Sequence, residues 1–374
     1  MTGVQTCALP ISWTRNSLIL IPAVVVAALL TLHSPTALAV GQMEEIKIST
    51  AIDFINPVLL DDGVSDNRLQ VRGAEFMFYG PVDHLFDGLL NVAGHSESGK
   101  FSWEVHEAVL SSSKLIPRSR FRIGKFFLGI GRLNQFHQHD WPFVSTPSVQ
   151  KNFFGAEGAG DTGYEYSILL PTSLYLDITF GVTNGYCFGH CHGENVNNRP
   201  QTPVHYIHPT TFIESHGGGM QLGVTYLGYK DRDGIGKEIK GFDLTYKKRE
   251  GKTLVWLTQA EVFHRGTTGA RAGETNSEGG AYLYNQLGFN PEVSAGLRLD
   301  GFSDFGKKFN TGDEQKNLEF AVVPTLAYKP SEFSQFRLEY VHSVETNQGE
   351  EDSIDRRYLL NYIFFIGAHP AHEF

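Results

Sequence analysis

The chain has 374 residues, with 31 Lys and Arg against 41 Asp and Glu and a net charge of −10. It therefore lacks the clustered basic surface that phosphate contacts demand, which excludes nucleic acid as a partner. Twenty-seven phenylalanines, 15 tyrosines and 40 glycines against four methionines favour aromatic-rich strands and turns over helices. No Gly-rich loop follows a strand and opens a helix, so no nucleotide site is expected.

Residues 1–12 (Met1 to Ser12) read as translated sequencing-adapter sequence and are set apart from the fold. Residues 13–39 have the order of a cleavable signal peptide: Arg15, an apolar run from Leu18 to Leu32, then Ala37-Leu38-Ala39 as cleavage site. That run is shorter than the roughly twenty residues a spanning helix needs, and no later segment reaches that length. The mature protein is thus expected to be one domain over 40–374, exported and without a transmembrane helix. Too little chain precedes the first strand to form a plug.

Beyond the leader, period-2 alternation recurs almost to the end, the signature of strands with two unlike faces. Leu176, Ile178, Phe180 and Val182 alternate with Asp177, Thr179 and Gly181. Met220, Leu222, Val224 and Tyr226 alternate with Gln221, Gly223 and Thr225, and Phe336, Leu338 and Tyr340 with Gln335, Arg337 and Glu339. Such segments are about ten residues long, the length a tilted strand needs to cross hydrocarbon. The apolar set would face lipid and the polar set a wet lumen.

Strands are predicted over 44–56, 67–80, 85–95, 101–112, 118–128, 161–170, 174–184, 204–213, 218–228, 237–249, 252–264, 279–288, 292–302, 316–328, 333–343 and 356–366. Tight links such as Pro171-Thr172-Ser173 and Arg249-Glu250-Gly251 alternate with long polar connections at 129–160, 185–203, 265–278, 303–315 and 344–355. A soluble β-sandwich shares the alternation but not these connections. Short turns at one end and long loops at the other define an all-β fold, a transmembrane antiparallel up-and-down β-barrel of about 16 strands. Fourteen is the alternative if 204–213 and 218–228 are not strands.

The last strand, Tyr358-Leu-Leu-Asn-Tyr362-Ile-Phe364-Phe-Ile366, with the C-terminal Phe374, resembles the terminal strand of bacterial porins, which the barrel-assembly machinery recognises. A tail with His369 and His372 intervenes. The stretch from Arg122 to Phe143 (RIGKFFLGIGRLNQFHQHDWPF) resembles a segment of poorly characterised outer-membrane proteins, some labelled zinc-regulated receptors. These resemblances imply a barrel in the outer membrane of a Gram-negative bacterium, surrounded by lipid and lipopolysaccharide, with a homotrimer left open as its assembly.

The longest connection, 129–160, is also the third external loop, between the fifth and sixth predicted strands, and in general porins the loop at this place folds into the barrel. Here it would carry Arg132, Asn134, His137, His139 and Asp140 to a pore constriction, together with Lys151, Glu157 and Asp161. Trp141-Pro142-Phe143 and Phe153-Phe154 would anchor it. Arg118, Arg120 and Arg122 alternate along the feeding strand and would form a solvated cationic row opposite loop carboxylates such as Asp140, setting charge selectivity.

His137-Gln-His139-Asp140 has metal- and proton-binding groups, but no nucleophile elbow or HExxH motif accompanies it, so no enzyme is expected. Cys187, His190, Cys191 and His192 form the densest metal-capable cluster, able to take zinc if reduced or to close a small disulfide loop outside the cell. No cofactor is required. The expected function is a porin-like channel for passive diffusion of small hydrophilic solutes or ions, narrowed by 129–160. The alternative is a substrate-specific receptor or channel, with metal ions or metal complexes among its candidate cargoes.

Overall fold

A computed structural model describes residues 45–60, 68–97, 100–185, 200–269, 277–305, 307–308, 314–315, 317–347 and 351–367. Sixteen strands form one closed antiparallel barrel: β1 (Lys47–Leu59), β2 (Gln70–Pro81), β3 (Asp87–Glu97), β4 (Lys100–Ser112), β5 (Ser119–Phe127), β6 (Gly160–Leu169), β7 (Tyr175–Thr183) and β8 (Val204–Ser215). They continue as β9 (Gly218–Lys230), β10 (Gly236–Glu250), β11 (Thr253–Thr268), β12 (Ser277–Gly288), β13 (Val293–Asp304), β14 (Asn317–Ser331), β15 (Ser334–Asn347) and β16 (Ser353–Gly367). A two-residue ribbon pairs Lys307–Lys308 with Glu314–Gln315 between β13 and β14.

Each strand pairs with its neighbours in sequence, and β1 closes on β16, with Ile52 opposite Phe364 and Leu59 opposite Arg357. Closure satisfies the backbone groups of every strand without leaving an edge, which is what a strand in hydrocarbon requires. Among the described residues, no helix is long and apolar enough to cross a membrane.

The alternation does what the sequence requires of it. On β9 Val224 points outward while Thr225 is buried inside; on β15 Leu338 faces out and Glu339 in. Every predicted strand is present, β8 and β9 included, so the fourteen-strand alternative falls. Strands expected at 44–56 and 67–80 begin three residues later, at Lys47 and Gln70, the limits of the pairing of β1 with β2, where Lys47 lies opposite Tyr79 and Ile55 opposite Gln70.

The inner face departs from the expected wet lumen. Tyr206, Leu227, Ile239, Leu257, Phe263, Tyr282 and Tyr284 are buried there in one apolar cluster with residues of the connection between β5 and β6. Two of the barrel's register shifts also bear on what its inner face presents. Asp53 pairs with Gly73 and Phe54 with Val71, leaving Arg72 as the extra residue; Asn91 pairs with Glu107 and Val92 with Val105, leaving His106. An extra residue re-aims the strand, so Arg72 and the adjacent pair His106 and Glu107 all face inward.

Outward-facing Val224 lies at the centre of β9. Replacing it by Arg should lower barrel stability by about 2–4 kcal/mol in lipid, whereas Leu should be neutral. Urea titration of barrel refolded into vesicles measures the difference, and an equally stable Val224→Arg variant would contradict the lipid-facing assignment.

Candidate functional site

The connection from Leu128 to Ala159 enters the barrel. Its neck closes through the Leu128 amide on the Ala159 carbonyl at 3.0 Å, and Asn134 bridges the same two residues, donating to both carbonyls and accepting the Ala159 amide at 2.6 Å. Two 3-10 turns, Leu133–Gln135 and Gln138–Asp140, and one short helix α1 (Ser148–Phe154) interrupt an otherwise irregular path. At Gly131 the backbone takes φ +55°, and a Cβ there would run into the Glu261 carboxylate. Glycine is therefore required where the loop turns against the wall.

An irregular segment inside a barrel has few partners for its own amides and carbonyls, and orphaned buried groups are costly. Wall side chains supply the partners. Glu165 accepts the Gly129 amide at 3.0 Å, and Thr225 that of Gly131 at 3.0 Å. Glu261 accepts the amides of Arg132, at 2.6 Å, and Leu133. Glu339 accepts Val144 and Ser145 amides, both at 2.8 Å, and the Ser145 hydroxyl.

Guanidinium groups serve the carbonyls. Arg337 donates to Trp141 and Phe143 at 2.5 and 2.9 Å, Arg298 to Ser145 at 2.5 Å, and Arg72 to Val144 at 2.7 Å. Trp141, Phe143, Phe153 and Phe154 act as the expected anchors: Phe143 meets the Tyr282 and Tyr284 rings edge-on, and Phe154 meets Phe263. Burying each such phenylalanine contributes about 1.5–3 kcal/mol.

The predicted loop residues fall into distinct roles. His137 faces two carboxylates, Glu75 at 3.1 Å and Glu107 at 3.0 Å, and His139 faces Glu75 at 3.1 Å and Asp140 at 3.3 Å. Burial alone would lower the His137 pKa, but Glu75, Glu107 and Asp140 override it and raise it to about 10. His139 is likewise raised by Asp140 and Glu75 against its burial. His137 thus binds loop to wall as a cation held by carboxylates, and the contacts of His139 with Glu75 and Asp140 tie the loop to the same wall residue. Arg132 lies over the Phe136 ring and donates to Gln221 at 3.0 Å.

Cavities remain on both sides of the loop. One of ≈ 930 Å³ at the short-turn end is lined by Arg118, Arg120, Arg122 and Arg132 together with Glu107 and Asp177. A second of ≈ 360 Å³ at that end holds Arg132, Asp140, Lys247, Arg249, Lys329 and Glu332. A third of ≈ 500 Å³ lies toward the long-loop end, with Lys151 on its lining.

The arginine row therefore shares one cavity, but two details of its expected chemistry change. Arg122 is only partly solvated: it pairs with Glu165 at 2.6 Å and donates to the Phe127 carbonyl. Asp140 lines the other cavity and faces His139; the carboxylates beside the row are Glu107 and Asp177 on the same lining and Glu165, which pairs with Arg122. Arg118 sits in the turn before β5 with φ 59°, and Arg120 is exposed to the cavity.

Cys187, His190, Cys191 and His192 lie outside the described residues, as do His369, His372 and Phe374. Sequence reasoning missed His95, His106, Glu75, Glu261, Arg298, Arg337 and Glu339. A signal for the loop's resting place was present: Val262-Phe263, Tyr226-Leu227 and Tyr282-Leu283-Tyr284 put apolar residues on both faces of a strand, which lipid alone does not explain.

No family model matches the chain. It is 28% identical over 330 residues to an uncharacterized protein of Aquifex aeolicus (strain VF5), covering 80% of this chain and 69% of that protein. In fold it is similar to the outer-membrane channel DcaP of Acinetobacter baumannii, with TM-score 0.57 and 13% identity over 86% of this chain and 96% of that one. An anion-selective porin from Comamonas acidovorans (0.55, 8%, 86% and 99%) and a loop-deleted OmpT, an outer-membrane protein of Vibrio cholerae (0.56, 10%, 86% and 99%), are similar to the same degree. The fold is that of the sixteen-stranded outer-membrane porins.

Glu339→Ala should leave the barrel closed and heat-modifiable while releasing Val144 and Ser145, since each buried donor left without a partner costs about 1–3 kcal/mol. Hydrogen exchange at those two amides should accelerate roughly tenfold or more. Unchanged protection would mean that Glu339 does not hold the loop.

Proposed function

We propose that the protein is an outer-membrane channel through which small hydrophilic solutes diffuse passively, with a preference for anions, along the cavities flanking the inserted loop. The short-turn end faces the periplasm and the long-loop end the exterior, as in barrels exported by a signal peptide. The observation that carries this reading is the charge of the lumen against that of the chain. Together the two cavities at the short-turn end present seven cations, Arg118, Arg120, Arg122, Arg132, Lys247, Arg249 and Lys329, against four carboxylates, Glu107, Asp140, Asp177 and Glu332. The chain as a whole carries −10. A sixteen-stranded barrel leaves an aqueous channel, and a cationic lining inside low-dielectric walls concentrates anions in it.

The loop lies across this path as its constriction, and no catalytic role is assigned to His137, His139 or Asp140, whose charges are directed at each other and at the wall. A substrate-specific channel is the second reading. It gains support from the ties of Arg72 on β2 and Glu339 on β15 to the loop, beside which the space among the described residues is divided into separate cavities. Block of conductance by one solute class and not others would favour it.

Purified protein in planar bilayers under a potassium chloride gradient should show an anion-selective reversal potential. The double variant Arg118→Gln and Arg120→Gln should fold normally and shift that potential toward cations, because neither guanidinium holds the loop. Arg122→Gln should instead loosen the loop at Glu165. Deleting 136–152 should raise single-channel conductance severalfold. If the folded deletion and the double variant both conduct like the parent, the path does not run past the loop and the reading fails.

A further inference from the structure

Four imidazoles stack in a ladder that leads from the barrel wall into the loop. His95 and His106 have ring centroids 4.7 Å apart, His106 and His137 6.1 Å, and His137 and His139 5.4 Å, with interplanar angles of 17°, 8° and 12°. Its two ends differ chemically. At the loop end both ring nitrogens of His137 face carboxylates, so that ring acts as a double donor.

At the wall end the arrangement is another. The Nε2 of His106 has His95 Nε2 at 2.9 Å, Glu104 Oε1 at 3.2 Å and Glu157 Oε2 at 3.6 Å. Glu157 also reaches His95 Nδ1 at 3.1 Å. One imidazole nitrogen carries at most one hydrogen, so at most one of the three contacts around His106 Nε2 can be a hydrogen bond donated by it. Four lone-pair-bearing groups have instead been brought to one buried point.

Two imidazoles with a carboxylate are a donor set for borderline divalent cations of the zinc kind. His95, His106 and Glu157 each bring a ligand atom within 4.8 Å of the others. A cavity of ≈ 20 Å³ opens among His95, His106, Glu157 and the neighbouring His137. That is space for one water-sized occupant. A tetrahedral zinc ion with bonds of about 2.0–2.1 Å needs its nitrogens about 3.4 Å apart, so the rings would part by only about half an ångström.

We propose that His95, His106 and Glu157 bind a divalent transition-metal cation, with Glu104 beside them, and that the ion staples the end of the inserted loop to the wall. His95 stands on β3 and His106 on β4, whereas Glu157 belongs to the loop, so the ion cross-links two parts of the chain that otherwise meet through side-chain contacts. The proposal uses neither Cys187 nor Cys191 and does not depend on the channel's charge preference.

The test uses the full-length folded protein in detergent, stripped with a chelator and titrated with zinc by calorimetry and with cobalt(II) by visible absorption. One ion per chain is expected, with cobalt bands of tetrahedral intensity. His106→Ala, His95→Ala and the loop variant Glu157→Gln should each weaken binding by more than the roughly 10–100-fold that loss of an outer-sphere partner costs. Glu157→Gln leaves every barrel strand intact and so guards against a misfolded wall variant. A Cys187→Ser, Cys191→Ser variant should still bind, and zinc should slow hydrogen exchange around Glu157 in the parent but not in Glu157→Gln. Absence of binding by the parent, or binding that survives His106→Ala and Glu157→Gln and vanishes in the cysteine variant, would overturn the proposal.

Discussion

Everything distinctive about this barrel depends on charged side chains of the inner wall completing the hydrogen bonds of a loop backbone that cannot complete its own. Strands satisfy each other by closure, but residues 128–159 have only two short 3-10 turns and one helix of seven residues to work with. Carrying such a segment out of bulk water would orphan a series of amides and carbonyls. Glu165, Glu261 and Glu339 meet the amides, and Arg72, Arg298 and Arg337 meet the carbonyls. Bonds involving an ionised partner are roughly twice as strong as neutral ones. The wall also buries these charges, so loop and wall are each costly without the other. That mutual dependence fixes the loop inside the lumen more firmly than its aromatic anchors alone would.

The bulges show how strand geometry serves the same end. Under strict alternation Phe101, Trp103 and Val105 face out, and Glu107 would follow them into lipid. The extra residue at His106 leaves that imidazole inside, turns Glu107 inward beside it and puts Ala108 on the outer surface. The bulge at Arg72 does likewise, bringing that guanidinium to Asp53 and to the Val144 carbonyl. Without these two irregularities the loop would lose Arg72 on one side and Glu107, the partner of His137, on the other.

The fold was legible in the sequence because its signal is repeated: each strand restates the same period-2 rule, and errors of two or three residues at ends such as Lys47 do not accumulate. The site was legible only in part. Loop length and position pointed to insertion, and the residues from Arg132 to Asp140 do meet the wall. Their partners were hidden for two physical reasons. His106 and Arg72 sit where alternation is broken, and a bulge leaves no local mark that composition reveals. Glu261, Glu339 and Arg337 read as ordinary lumen-facing polar residues, since a solvated charge and one bound to a loop amide look alike in a single strand. The paired apolar residues on both faces of β11 and β12 were the available clue, because lipid explains only one face.

The same bonds bear on the charge of the cavities. The chain is acidic, yet the cavities on either side of the loop are lined by more cations than carboxylates. Wall carboxylates end on the loop: Glu75 and Glu107 on His137, Glu165 on Gly129 and Arg122, Glu261 and Glu339 on backbone amides. Glu75, Glu165, Glu261 and Glu339 are thereby drawn to the loop's own contact surface and withdrawn from the large cavities, and Glu107 alone of these also lines one. Arg118, Arg120, Arg249 and Lys329 stay on the cavity linings. Inserting the loop therefore does more than narrow the lumen. It sorts the wall's charges by sign and leaves the cations on the cavity linings beside the loop.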